Sequence, residues 1–235
     1  MSGFDFIFFL TGMRESVLHL PVTLYVALAI MCIGIVLGFL VALARFYRVK
    51  FLSTFLRIAV TVLRGVPVIL IILIIQVFSA LNYDKIMAFL GLSLTYRGLN
   101  KALIAIAAIS IPTIISMSEI FRGSFAAVDK NQFDASASIG HGRIQTLFRV
   151  IIPQMIPVTV PMTGNVVIAT VKSTSLLLYL SVVDALNAPV LAAGINYRYL
   201  EAYLAAACVF WTMCASLEWI FHILEGKLKL QGAVT

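Results

Sequence analysis

The chain has 235 residues, of which 62% are hydrophobic and only 11% charged, with a formal net charge of +7. A soluble domain is roughly 45–50% apolar and about 25% charged, so this excess is too large for one buried core and excludes an ordinary soluble fold; bilayer lipid is the natural solvent for it. The Lys and Arg residues stand at the ends of apolar runs, where they set topology, and this argues against a nucleic acid partner.

In chain order, Phe4, Phe6, Phe8 and Phe9 first suit an interfacial anchor. The apolar run from Pro21 to Ala44 is longer than the ~7–15-residue core of a cleaved signal, so residues 21–44 are expected to remain as the first span. Gly34 and Gly38 form a GxxxG there, which lets another helix come close. Residues 57–81 are read as the second span, with a helix start or break at Pro67, which lacks an N–H and biases Val66 away from helical geometry. Residues 82–100 are read as a loop with a short interfacial helix. The third span is placed at 101–121, with a kink at Pro112. Residues 122–153 are polar, yet carry Phe133, Ile139, Ile144, Leu147 and Phe148 at roughly helical intervals. The fourth span, 157–183, holds Pro157, Pro161, Gly164, Asn165 and Lys172, and its prolines predict unwound backbone. The fifth covers 202–224. The expected fold is all-α: a single transmembrane domain over 1–235, with five membrane helices.

Charge sets the orientation. With the N-terminus outside, the inner segments carry ten cations (Arg45, Arg48, Lys50, Arg57, Arg122, Lys130, Arg143, Arg149, Lys227 and Lys229). The outer segments carry five: Arg14, Lys85, Arg97, Lys101 and Arg198. The positive-inside rule then places the N-terminus out, the C-terminus in and the loop 122–153 in the cytoplasm.

Within that loop, small residues Ala135, Ser136 and Ala137 run into Gly140, and Gly140 and Gly142 flank His141, which fits a left-handed turn. A second helical piece, RIQTLFRVIIP, leads back to the membrane. The pattern predicts a helix–turn–helix on the cytoplasmic face. Its membrane tether sets aside the DNA-binding motif of similar layout.

DASASIG at Asp134–Gly140, followed by Ile152, Pro153 and Gln154, resembles the EAA loop of bacterial ABC-importer permeases. RGVPVIL at Arg64–Leu70, SEIFRGSF at Ser118–Phe125 and VKSTSLL at Val171–Leu177 are similar, in the same order, to stretches of the polar amino-acid branch of that family. The resemblance spans roughly Val22 to Lys227. Asp134 stands where the family has Glu, Ser136 where it has a second Ala, and Ile71 where a Gln is common. What the resemblance implies is a type I importer permease for polar amino acids or derivatives, working by alternating access in the bacterial cytoplasmic membrane. Asp134, Ala135, Ser136, Gly140 and His141 would dock on a separate ABC ATPase subunit, which binds ATP and Mg. A second permease chain, identical or homologous, and an extracytoplasmic solute-binding protein would complete the assembly. The alternatives are a methionine- or phosphonate-type importer permease, or an ATP-independent channel or carrier.

The chain has no G-x-x-x-x-G-K-[ST] phosphate cradle, so it is not expected to be an enzyme or to bind a cofactor of its own. His19, His141 and His222, with Cys32, Cys208 and Cys214, show no metal-ligand spacing. Polar groups within the spans are candidates for the substrate path: Glu119, Asn165, Lys172, Thr174 and Ser175. A cation at mid-helix costs about 2.5–3.5 kcal/mol to insert, so Lys172 should be paired or face water. It suits a substrate carboxylate, and it equally suits a structural partner such as Glu119. Asn165 reads as a pathway group or an interhelical hydrogen bond. The hydroxyls of Thr174 and Ser175 read as pathway lining or as bonds back to the helix.

Overall fold

The computed structural model describes residues 3–232, the last four of them as backbone alone, so the side chain of Lys229, one of the ten inner cations, lies outside the described residues. All regular structure among the described residues is helical, and five helices are long and apolar enough to cross a membrane.

Helix α1 (Phe6–Leu18) begins where Asp5 accepts a hydrogen bond from the Phe8 amide at 3.0 Å, a side-chain cap that satisfies one of the free amides of the first turn. It packs against the last helix, to which it is also tied by charge. Arg198 reaches Asp5 at 3.2 Å and Glu201 at 3.2 Å. A turn at His19 leads into α2 (Leu20–Phe46), with Pro21 in its first turn, where no amide is needed.

Next come α3 (Leu52–Arg64) and α4 (Val68–Phe89), separated at Gly65–Pro67. The break expected at Pro67 therefore divides the stretch 57–81. Residues 57–64 belong to a separate amphipathic helix, and the helix long enough to span runs from Val68 to Phe89. Much of the segment read as a loop after residue 81 is thus still helix; only Tyr96–Gly98 forms a short 3-10 turn there.

Helix α5 (Lys101–Ala127) is the most buried of the spans and pairs most extensively with α2. The GxxxG explains why. A Cβ on Gly34 would lie 2.6 Å from Thr113 Cγ2, and one on Gly38 would lie 2.6 Å from Met117 Cβ. Only glycine lets the two backbones meet this closely. Aliphatic side chains of both helices, among them Val26, Ile30 and Ile109, form the core toward one end with Leu177 and Leu180. Toward the other end the core is Met117, Phe121, Phe125, Leu147 and Ile151.

Two short helices, α6 (Asn131–Ser138) and α7 (Arg143–Thr146), make the polar loop. A π turn at Leu147–Ile151 then feeds α8 (Ile152–Ser173). The unwinding expected around Pro157 and Pro161 does not occur, and α8 continues through both. Its departures from α geometry lie at its two ends: the π turn before it, and a 3-10 segment, Thr174–Leu180, after it.

Asp184, just beyond the span expected to end at residue 183, is fully buried. It accepts from the Leu186 amide at 3.2 Å and the Asn187 amide at 2.9 Å, starting α9 (Asn187–Asn196). Burial pushes its carboxyl above the usual carboxylate range, against the pull of those amides and the Thr23 hydroxyl. The last helix, α10 (Tyr199–Gly232), packs on α8, and Gly164 sits against the Phe221 ring, where a Cβ would come within 2.7 Å.

Candidate functional site

Three groups of functional candidates emerge, stacked along the α5–α8 axis. The first is the corner between α6 and α7. Asp129 accepts from the Asn131 amide at 2.9 Å and starts α6. The helix ends at Gly140, whose φ of +85° is left-handed. The Gly140 amide bonds to Ala137 O at 2.9 Å and the His141 amide to Ser136 O at 3.1 Å, so the turn closes on the carbonyls that the helix end leaves free. Gly142 then opens α7, its amide donating to Gln145 Oε1 at 3.1 Å.

Side chains lock the corner. Ser136 Oγ lies 3.1 Å from His141 Nδ1 and 2.9 Å from Thr146 Oγ1. Ser136 and Thr146 are both buried. Of the five residues expected to dock, Asp134, Ala135 and Gly140 are exposed, His141 is half-buried and Ser136 points inward. Ser136 therefore fixes the angle of the corner rather than lining its outer face.

Sequence periodicity missed the outer face. Ile139, Ile144 and Phe148 are 73%, 74% and 60% exposed, while Phe133 and Leu147 turn inward. Large apolar side chains around a strip of small residues make a surface suited to a protein partner. Phe133 links this corner to the membrane helices: it meets Phe46 of α2 at 5.6 Å, and Phe46 stacks on Phe125 of α5 at 4.7 Å.

The second group surrounds Glu119. Arg45 donates to Glu119 Oε1 at 2.6 Å, and Arg122 holds Oε2 through two nitrogens at 2.9 and 3.0 Å. Arg122 stands one helical turn on from Glu119, whereas Arg45 comes from α2, 74 residues away. Glu119 is therefore not the partner of Lys172. With side-chain exposures of 12% for Arg45 and 21% for Glu119, little water replaces a lost partner. Glu119→Gln is expected to lower stability by about 1.5–3 kcal/mol, the range for hydrogen bonds to charged groups. In a double-mutant cycle with Arg45→Met, thermal unfolding should give a coupling of about 1–3 kcal/mol. Strictly additive losses would mean that the two side chains act separately.

The third group lies on α8. Val158, Met162, Asn165, Ala169 and Lys172 recur at helical spacing, so Asn165 and Lys172 share one stripe. Asn165 lines a cavity of about 250 Å³ with Pro112, Thr113, Ser116 and Ser173. On its other side a groove of about 340 Å³ adds Glu218 and His222 of α10. Thr174 and Ser175 lie elsewhere. Thr174 is buried and donates to Val171 O at 2.7 Å, and Ser175 donates to Lys172 O at 2.7 Å. The tightened 3-10 geometry brings those carbonyls within reach of the hydroxyls, so both side chains serve the backbone. Ser173 makes a similar bond, donating to Ala169 O at 2.9 Å, and it also lines the cavity.

The model of a family described as the binding-protein-dependent transport system inner membrane component matches residues 34–230. The probable amino-acid permease protein YxeN of Bacillus subtilis is 30% identical over 216 residues, covering 91% of this chain and 91% of that protein. The L-cystine transport system permease protein TcyL, also of Bacillus subtilis, is 29% identical over 212 residues, covering 90% of this chain and 86% of that one. Among solved structures, a crystal structure of an amino acid ABC transporter with histidines superposes with a TM-score of 0.78 at 23% identity, covering 97% of this chain and 100% of that one.

Proposed function

Because the chain belongs to the family of binding-protein-dependent transport system inner membrane components, we propose that it is the permease subunit of an ABC importer for polar amino acids or their derivatives. It sits as a multi-pass protein in the bacterial cytoplasmic membrane, N-terminus outside and C-terminus inside, in line with the charge asymmetry of its loops. The α6–α7 corner is the coupling element. It docks on a separate ATPase subunit, which carries the ATP and Mg. A second permease chain and an extracytoplasmic solute-binding protein complete the assembly. Alternating access moves the solute, with no covalent step on this chain.

The observation that carries the coupling reading is the corner itself. It is rigidly capped, fixed internally by Ser136, His141 and Thr146, and presents Ile139, Ile144 and Phe148 outward. Asp134 and Ala135 lie on the exposed part of the same helix. Closure of two ATPases pushes on this lever, and the Phe133–Phe46–Phe125 contacts pass the motion to α2 and α5. The solute path is the Asn165 stripe of α8. Asn165, Ser116 and Ser173 supply hydrogen-bonding groups, and Lys172 supplies a cation on the same stripe.

The test is uptake into proteoliposomes by this chain assembled with its ATPase and binding protein. Labelled polar amino acids should accumulate with ATP and not without it. Equal uptake in both conditions would leave a channel or carrier. ATP-driven uptake confined to methionine or phosphonates would move the chain to the other importer branch.

A further inference from the structure

We propose that the basic turn between α2 and α3 is a binding site for the headgroup of an acidic phospholipid. The turn and the start of α3 border a cavity of about 420 Å³. Arg45, Arg48, Lys50, Arg57 and Arg122 all line it, and Ser53 and Thr54 add hydroxyls. Glu119, held by Arg45 and Arg122, offsets one of these five charges, so four remain net positive. Guanidinium groups grip phosphate oxygens with paired, charge-assisted hydrogen bonds, and the hydroxyls can donate to the same oxygens.

Helix α3 says why the anion belongs to a lipid. It carries three stripes at helical spacing. Ser53, Leu56 and Val60 turn toward the protein. Thr54, Arg57, Thr61 and Arg64 make a polar edge. Phe51, Phe55, Ile58 and Val62 make an apolar edge that the rest of the chain leaves exposed. A helix with cations on one edge and uncovered aromatic and aliphatic groups on the other lies in the membrane interface. A lipid satisfies both edges, phosphate at the cations and acyl chain along the apolar stripe. A free phosphate, or an acidic protein surface, would satisfy only the first.

The turn is shaped to present these groups. Arg48 and Phe51 both take left-handed φ, of 50° and 61°. Non-glycine residues hold that conformation only where their surroundings enforce it. Phe51 is 90% exposed, next to Lys50 on the cavity wall. The cavity lies at the same end of the molecule as the α6–α7 corner, because Phe46 and Arg122 also line the neighbouring cavity with Phe133 and Asp134. In the orientation proposed above this is the inner leaflet, whose anionic lipids attract polybasic segments.

The experiment exchanges the full-length chain between phosphatidylglycerol and phosphatidylcholine of matched acyl chains and counts retained lipid by native mass spectrometry. Wild type should favour phosphatidylglycerol by about tenfold or more, with each cation contributing on the order of a few-fold. Arg48→Gln/Lys50→Gln/Arg57→Gln should lose most of that preference, and Arg48→Lys/Arg57→Lys should keep it. These positions leave the Glu119 ion pairs intact. Equal retention of both lipids by wild type overturns the proposal, and so does an unchanged preference in the triple variant. Displacement by inorganic phosphate alone assigns the cavity to a free anion and also overturns it. Lost ATPase association with unchanged lipid preference gives the cations to the partner subunit and overturns it equally. If the triple variant does not purify, a salt titration of wild type decides. The preference must fall as ionic strength rises, and a salt-indifferent preference sinks the site.

Discussion

Gly38→Leu is expected to abolish recovery of folded, monodisperse chain from detergent, while Gly226→Ala leaves recovery unchanged or slightly improved. A Cβ at Gly38 would meet Met117 Cβ at 2.6 Å, Ile114 O at 3.1 Å and Ser118 N at 3.1 Å. Two of these three atoms are backbone and cannot swing aside. Overpacking a core costs about 1–3 kcal/mol when neighbours can adjust, and more when they cannot. Here the only relief is to separate α2 from α5, the most extensive helix pair in the fold. That separation would also pull Arg45 from Glu119. Gly226, by contrast, has open space around its Cβ position, and alanine gains about 1 kcal/mol in helix propensity there. Size-exclusion profiles and thermal midpoints of the two variants make the comparison. A Gly38→Leu protein with the wild-type profile would mean that α2 and α5 do not meet at this glycine.

The sequence carried the framework of this fold because its strongest signals are local. Pro67 marks a helix break, Gly140 a left-handed cap and Gly34/Gly38 a close helix approach, each through a property of one residue type. What periodicity could not carry was which face another element covers. Ile58 and Val62 read as part of a span because they are apolar; in the structure they stand on α3, before the break at Pro67, along an edge shared with Phe55 that the rest of the chain leaves uncovered. Ile139, Ile144 and Phe148 recur at helical spacing, which does not tell a packed face from an open one, and they face outward. Partners distant in sequence were equally silent. Glu119 gave no sign of Arg45, 74 residues earlier, and Asp184 gave none of Thr23, 161 residues earlier. The hydroxyls of Thr174 and Ser175 were ambiguous from sequence because the same side chain serves a pathway or its own backbone, and the 3-10 geometry that turns them back to Val171 O and Lys172 O is a tertiary outcome.

Gly140→Val should uncouple transport from ATP hydrolysis on the reading proposed here, whereas Gly140→Asn should retain most of the coupling. Nothing lies within 4 Å of a Cβ at Gly140, so no clash arises and the effect is purely one of backbone. At φ +85° an L-residue is disfavoured by about 1–2 kcal/mol, a β-branched residue most of all, while asparagine is tolerated. The corner depends on that one conformation, because it aligns the Gly140 and His141 amides with Ala137 O and Ser136 O. If the turn opens, Ser136 loses His141 and Thr146, and the angle between α6 and α7 is no longer fixed. Ile139 and Ile144 then stop presenting a single surface, although every docking side chain is still present. The assembled complex with Gly140→Val should lose stimulation of its ATPase by loaded binding protein and retain about tenfold less ATPase subunit, the factor that about 1.4 kcal/mol corresponds to. The asparagine variant controls for the mere presence of a side chain. Equal behaviour of the valine variant and wild type would mean that the partner remoulds the corner on docking, and the lever would then have to be sought in the α8 end of the loop.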